Sequence, residues 1–112
     1  MESRSDNFLK EYKYSWKDMG TGVVQQVAGY DKNIMLVKVK FVKGGIGHVH
    51  HHYHSQSSFV ASGVFEVSIN GEKKTLLAGD SFYVEPDAPH GVICLEEGML
   101  IDAFSPARED FL

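Results

Sequence analysis

This chain of 112 residues contains one cysteine, Cys94, so no internal disulfide framework can staple it. A lone cysteine fits a reducing compartment, and Cys94 reads first as a small buried apolar side chain. Basic charge is also scarce. The 11 Lys and Arg against 15 Asp and Glu leave a mildly acidic protein without a basic patch, which argues against a nucleic-acid partner. No apolar run approaches the roughly 20 residues that span a bilayer, so no membrane segment is expected. The opening MESRSDNFLKEYKY lacks the cationic start and apolar stretch of a secretion signal, and a cytoplasmic protein is the expectation. Internal repeats, low-complexity tracts and a DNA-binding helix pair are likewise missing. The length suits one domain, whose core must also house any cofactor site.

From Gly22 onward the chain is a succession of short β-type runs separated by turn signals: VVQQVAG, NIMLVKVKFVKG, IGHVHH, SSFVASG, VFEVSING, KKTLLAGD, SFYVEPD, HGVICLEEG and MLIDAF. Between Ile34 and Val42, the side chains of Met35, Val37, Val39 and Phe41 fall on one face and Lys38 and Lys40 on the other. Asn70-Gly71 is a strong hairpin turn. Gly44-Gly45, Ala78-Gly79-Asp80 and Glu97-Gly98 mark further corners. About nine short strands at this spacing predict an all-β jelly roll or barrel rather than an open sheet. Residues 1–20 are polar and aromatic without periodicity, with at most one helical turn over Ser15 to Met19. They are expected to form an arm or edge strand, leaving 21–112 as a barrel with a C-terminal tail.

Five of the six histidines, at 48, 50, 51, 52 and 54, fall within seven residues. Such a tract is by itself as readily a solvated polar hairpin as a site. His90 shifts the balance, because it lies on a separate segment behind Gly79 and the corner PDAPH, where two prolines fix the backbone. Side chains two apart on a strand face the same way, so His50 and His52 present two imidazoles to one point while His51 faces out. His54 shares their parity, and a turn near Tyr53 to Ser55 removes it from the set. The expected metal ligands are His50, His52, Gln56 and His90, with His48 at the mouth as a substrate residue and His54 as a supporting or turn residue. Three neutral imidazoles suit several first-row ions, so Ni, Zn, Mn, Fe and Co all remain open.

The strand Met99 to Phe104 places Leu100, Asp102 and Phe104 on one face. An aspartate in an apolar run is either an ion-pair partner on an outward face or a carboxyl group in the barrel mouth that moves a proton. Phe104 is either core or a flat wall for a ligand. Arg108, in the tail SPARED, either pairs with Glu109 or Asp110 or grips a carboxylate. Phe59, Phe65 and Tyr83 read as core aromatics.

The ordered pattern G-x5-H-x-H-x3-Q-x6-G over Gly44 to Gly63, followed by Gly79, Pro86 and His90, resembles the two motifs of the cupin superfamily. Gln56 stands where most cupins have Glu, the second motif has one extra residue before Pro86, and Ala88 replaces a glycine. The resemblance implies a small β-barrel with a metal inside. The stretch from Gly44 to Val92 and the ending AFSPAREDFL are similar to the pectin-degradation cupins of the KdgF type, although Ser55 replaces a residue often acidic there. That likeness implies conversion of 4,5-unsaturated monouronates to linear 4-deoxy-5-keto uronates, with Asp102 as proton carrier and Arg108 and Phe104 on a small anionic sugar. It also implies a homodimer, and the arm aromatics Phe8, Tyr12, Tyr14 and Trp16 offer a surface for one. Two other readings stand beside it: a metal-dependent dioxygenase or sugar isomerase, and a non-catalytic cupin that binds a small molecule.

Overall fold

The computed structural model describes residues 3–112. Strands β1 (Lys17–Gly20), β2 (Val23–Tyr30), β3 (Met35–Phe41), β4 (Ile46–His50), β5 (Ser55–Ile69), β6 (Glu72–Leu77), β7 (Ser81–Val84) and β8 (His90–Ser105) run antiparallel in the order β1-β2-β3-β8-β5-β6. β4 also pairs with β8, and β7 with β5. The all-β jelly roll expected from the turn spacing is therefore the fold. Single-turn 3-10 helices at Glu11–Lys13 and Glu109–Phe111 are the only helical elements among the described residues, so no helix there is long and apolar enough to cross a membrane.

Two expected boundaries dissolve. The runs on either side of Gly63 join into one strand of 15 residues, β5, and those on either side of Gly98 into one of 16, β8. Glycine supplies a bend here without ending the ladder. Gly63 has φ +85°, and a Cβ on it would come within 2.6 Å of the Glu96 and Glu97 carbonyls, while one on Gly98 would overlap the Ser62 carbonyl. The β5–β8 register shifts repeatedly between Val60 and Phe65, where both strands fold over together. Their two halves take different partners, β5 pairing with β7 before the shifts and β6 after them, and β8 with β4 before Gly98 and β3 from it onward. Asn70 and Gly71, with φ of 52° and 82°, form the hairpin turn anticipated from the sequence.

Alternation along β3 buries Met35, Val37, Val39 and Phe41 against Val60, Phe65, Val67, Cys94, Leu100 and Phe104. Phe41 meets Phe65 edge to face at 5.1 Å. Cys94 is buried, as expected for a lone apolar thiol. Phe59 and Tyr83, expected in the core, are instead exposed at 46 % and 60 %. Across β5 and β7, Phe59 faces Ser81 and Tyr83 faces Ser57, on the parity opposite to Gln56, Ser58 and Val60, which take the inner face. Before β1, the Gln26 side chain donates to the carbonyls of Glu11 and Tyr14, and Lys38 and Lys40 lie over Trp16. Phe8 and Tyr12 remain exposed.

Candidate metal centre and cavity

β4 delivers His50 opposite His90 at the start of β8, and the following turn brings His52 beside them. Gln56 enters from β5, where it pairs with Phe104 and Val84. One ring nitrogen from each of His50, His52 and His90 lies within 4.8 Å of the others, and these residues can together hold a metal ion. The rings sit 4.4 Å (His50 to His90), 4.8 Å (His52 to His90) and 5.6 Å (His50 to His52) apart, centre to centre.

The hydrogen bonds identify which nitrogens are free. His50 Nδ1–H donates to the His48 carbonyl at 2.8 Å, His52 Nδ1–H to the His54 carbonyl at 3.1 Å, and His90 Nδ1–H to the Ala88 carbonyl at 2.9 Å. A carbonyl oxygen only accepts, so each ring carries its proton on Nδ1 and keeps a lone pair on Nε2. The buried Nε2 of His90 has no protein partner. His52 Nε2 lies 3.0 Å from Gln56 Oε1, placing one acceptor against another. Acceptors converge in this way around a cation, and the donor set therefore fits a metal ion. Burial supports the same state. It pushes the His90 imidazole down to about 4, and lowers His52 as well, so that both rings are neutral and able to ligate at pH 7.

A chain of hydrogen bonds leads from this centre along β5 and across to the neighbouring strand β8. The Gln56 amide donates to Ser58 Oγ at 2.9 Å, and Ser58 Oγ–H donates to Asp102 Oδ1 at 2.6 Å. Burial raises the Asp102 carboxyl to about 6, and the Ser58 hydrogen bond and the Arg108 charge only partly offset it. Asp102 faces a cavity of about 350 Å³ that it shares with His48, His50, Gln56, His90 and Phe104. A cavity of this size is at the lower end for small-molecule sites. A larger groove of about 710 Å³ beside Gly22, Ser62 and Gly98 holds none of the imidazoles and is not where the chemistry converges.

The C-terminal tail closes one side of the cavity. Arg108 is buried, with its guanidinium 4.2 Å from the Phe111 ring centre and 5.1 Å from that of Phe104. Its Nε and Nη2 donate to the two Asp110 carboxylate oxygens at 3.0 and 2.9 Å, a fork-to-fork pair that fixes the group and leaves Nη1 for another acceptor. The two readings of Arg108 are thus compatible: it pairs with Asp110 and lines the cavity. Phe104 is buried and edge-on to His52 at 5.7 Å. His48 is exposed at the mouth, and His51 faces out. His54 is buried outside the ligand group, stacked on Tyr53, and serves the centre through its carbonyl.

Two residues of the site are missed by sequence reasoning. Ser58 shares parity with Gln56, and Gln25 shares the inward parity of Val23 and lines the cavity. Parity was the available signal in both cases.

The fold and this centre define a cupin: the cupin domain model matches residues 37–103, and the chain belongs to that family. Within it, the chain belongs with the KdgF proteins. It is 46% identical over 99 residues to the pectin degradation protein KdgF of Dickeya dadantii (strain 3937), covering 87% of this chain and 90% of that one. Among solved structures, KdgF from Halomonas sp. is 35% identical with a TM-score of 0.90, covering 96% of this chain and all (100%) of that one. An RmlC-like cupin from Shewanella frigidimarina is 45% identical with a TM-score of 0.96, covering 99% of this chain and 100% of the other.

Proposed function

We propose that this protein opens the ring of 4,5-unsaturated monouronates and yields linear 4-deoxy-5-keto uronates, an isomerisation within pectin or alginate breakdown. The observation that carries the reading is a half-buried carboxyl group, Asp102, facing the same cavity as Gln56 and two of the three clustered imidazoles, His50 and His90. Its relationship to pectin degradation protein KdgF supports the substrate class.

His50, His52, His90 and Gln56 would hold one divalent ion, with Ni, Zn, Mn, Fe and Co all suited to the donors. A bound ion supplies Lewis acidity, which holds sugar oxygens and stabilises negative charge developing on them. Because all four donors are neutral, the ion's charge is uncompensated and favours an anionic, oxygen-rich ligand. Arg108 Nη1 is available to the uronate carboxylate, and Phe104 offers a flat wall to the ring.

At neutral pH a carboxyl group that titrates near 6 is mainly ionised and can act as a base. Asp102 takes the proton of the anomeric hydroxyl, whose oxygen electrons form the C1 carbonyl as the bond from C1 to the ring oxygen breaks. The ring oxygen leaves as the enolate at C5. Asp102 then returns the proton to C4, completing the 5-keto product with no net oxidation. The exposed Phe8 and Tyr12 on the arm support pairing of two copies of the chain.

The test follows loss of the conjugated ultraviolet absorbance of a 4,5-unsaturated monouronate with wild type, Asp102→Ala and His50→Ala. Wild type should exceed the spontaneous rate and both variants should fall toward it. A wild-type rate equal to background rejects the reading, and oxygen uptake would replace it with a dioxygenase.

A further inference from the structure

We propose that Ser58 is a positioning residue: its single hydroxyl proton, committed to Asp102, makes its oxygen an acceptor and so holds the Gln56 carbonyl oxygen toward the imidazoles. This inference deepens the proposed function and rests on Gln56 joining the metal ligands and Asp102 carrying the proton.

An amide has two faces of opposite polarity. Gln56 can present either Oε1, which ligates a cation, or its NH2, which repels one. Nothing in the length or packing of the side chain distinguishes the two, since oxygen and NH2 are nearly the same size. The choice is made by whatever stands on the other side of the amide, and that is Ser58 Oγ at 2.9 Å. Ser58 is buried, at 1% exposure, and no solvent competes for its hydroxyl. It owns one proton. The Asp102 carboxylate, at 2.6 Å, can only accept when ionised, so the proton goes there. Toward Gln56 the serine oxygen is left as an acceptor, which selects the NH2 face on that side and Oε1 on the other. Strand geometry makes the arrangement rigid: Gln56 and Ser58 are successive inward positions of β5, and Ser58 pairs directly with Asp102 across β8.

Ser58 thus couples the two halves of the site. It orients a ligand on one side and donates a hydrogen bond to the proton carrier on the other, without touching metal or substrate. The same logic favours an amide at position 56. A glutamate there would be a second acceptor competing with Asp102 for one proton.

The test compares wild type with Ser58→Ala and Ser58→Thr, titrating metal-free protein with Ni²⁺ alone by calorimetry and measuring turnover of the unsaturated monouronate separately. Loss of an orienting hydrogen bond behind a ligand typically costs 10–100-fold, so Ser58→Ala should bind Ni²⁺ about 10-fold or more weakly. Its kcat should fall with KM little changed, and Ser58→Thr, which keeps the hydroxyl, should restore both. Thermal unfolding of the metal-free variants separates orientation from general damage. Wild-type Ni²⁺ affinity in Ser58→Ala overturns the proposal. Equal loss in both variants with lowered metal-free stability also overturns it. Should Ser58→Ala not fold, Ser58→Gly, which also lacks the hydroxyl, replaces it in the same titration, where weakened Ni²⁺ binding supports the proposal and wild-type affinity overturns it. Because the Ni²⁺ titration involves no sugar, it tests Ser58 even if the monouronate proves not to be the substrate.

Discussion

Replacing Asp102 by Asn should inactivate the protein and stabilise it. Asn keeps the size of the side chain and offers a carbonyl oxygen to the Ser58 hydroxyl, so the 2.6 Å contact can survive. What changes is the charge. Burial has moved this carboxyl group from an ordinary value of about 3.9 to about 6. A rise of about two pH units at ~1.4 kcal/mol each means that carrying the ionised form costs the native state about 3 kcal/mol at pH 7. The sign follows from proton binding. Between about pH 4 and 6 the native state holds a proton that the unfolded chain has released, so the wild type loses this stability as pH rises through that window. Asp102→Asn should therefore exceed wild type by up to about 3 kcal/mol at pH 7 and match it near pH 4. Urea unfolding of the two metal-free proteins at a series of pH values measures the difference, with ligand-linked stability excluded. In parallel, loss of a proton carrier should lower kcat by about 10²–10⁴-fold. A stability difference that stays flat from pH 4 to 7 would refute the desolvated-carboxylate account, and an Asn variant of undiminished kcat would remove Asp102 from the chemistry.

Further outcomes are expected. In wild type, kcat should fall below pH 6 as Asp102 takes up the proton it needs to be free of, and a rate profile flat to pH 5 contradicts its role as base. A chelator should abolish turnover and lower the unfolding temperature, and Ni²⁺ or Zn²⁺ should restore both; full activity after verified metal removal contradicts the centre. Arg108→Lys keeps the charge but loses the fork that engages Asp110, and KM should rise about 10-fold or more. Steady-state kinetics checks this, and an unchanged KM removes Arg108 from substrate binding. Gly98→Ala forces a methyl group onto the Ser62 carbonyl and should cost about 2 kcal/mol or more in denaturant unfolding, where a neutral result shows that the bend relaxes freely.

Much of the fold and site is legible in the sequence because strand parity and turn chemistry are local. The alternation of β3, the Asn70-Gly71 hairpin and the shared face of Leu100, Asp102 and Phe104 need no knowledge of the rest of the chain. Histidine spacing on β4 and beyond also follows from local geometry, and only the fold could show that His90 pairs opposite His50. Ser58 was obscured for a different reason. Serine is common on exposed strands, and its role depends on Asp102, a residue 44 positions away in sequence that the β5–β8 ladder brings opposite it. Phe59 and Tyr83 misled because large aromatics favour cores on average, whereas the inward parity of β5 was already taken by Gln56, Ser58 and Val60.

The site also depends on a bend that periodicity does not reveal. His90 and Asp102 lie on one uninterrupted strand, twelve residues apart. A straight strand would separate them by ~40 Å at about 3.3 Å per residue. The whole molecule is only 36 Å in its longest dimension, and both residues line one cavity. The irregularity at Gly98, matched by Gly63 on β5, is where the ladder shifts register and β8 departs from a straight run. Two glycines outside the ligand group and the cavity lining therefore contribute to bringing the metal centre and the proton carrier together. Backbone approaches backbone there so closely that no side chain fits, which explains a glycine at the end of the first motif better than any contact with substrate would. The long β5–β8 ladder then holds the bend on both sides, so that Gln56, His90, Ser58 and Asp102 are fixed by the same pair of strands, His50 by the short β4 edge paired with β8, and His52 by the turn that follows β4.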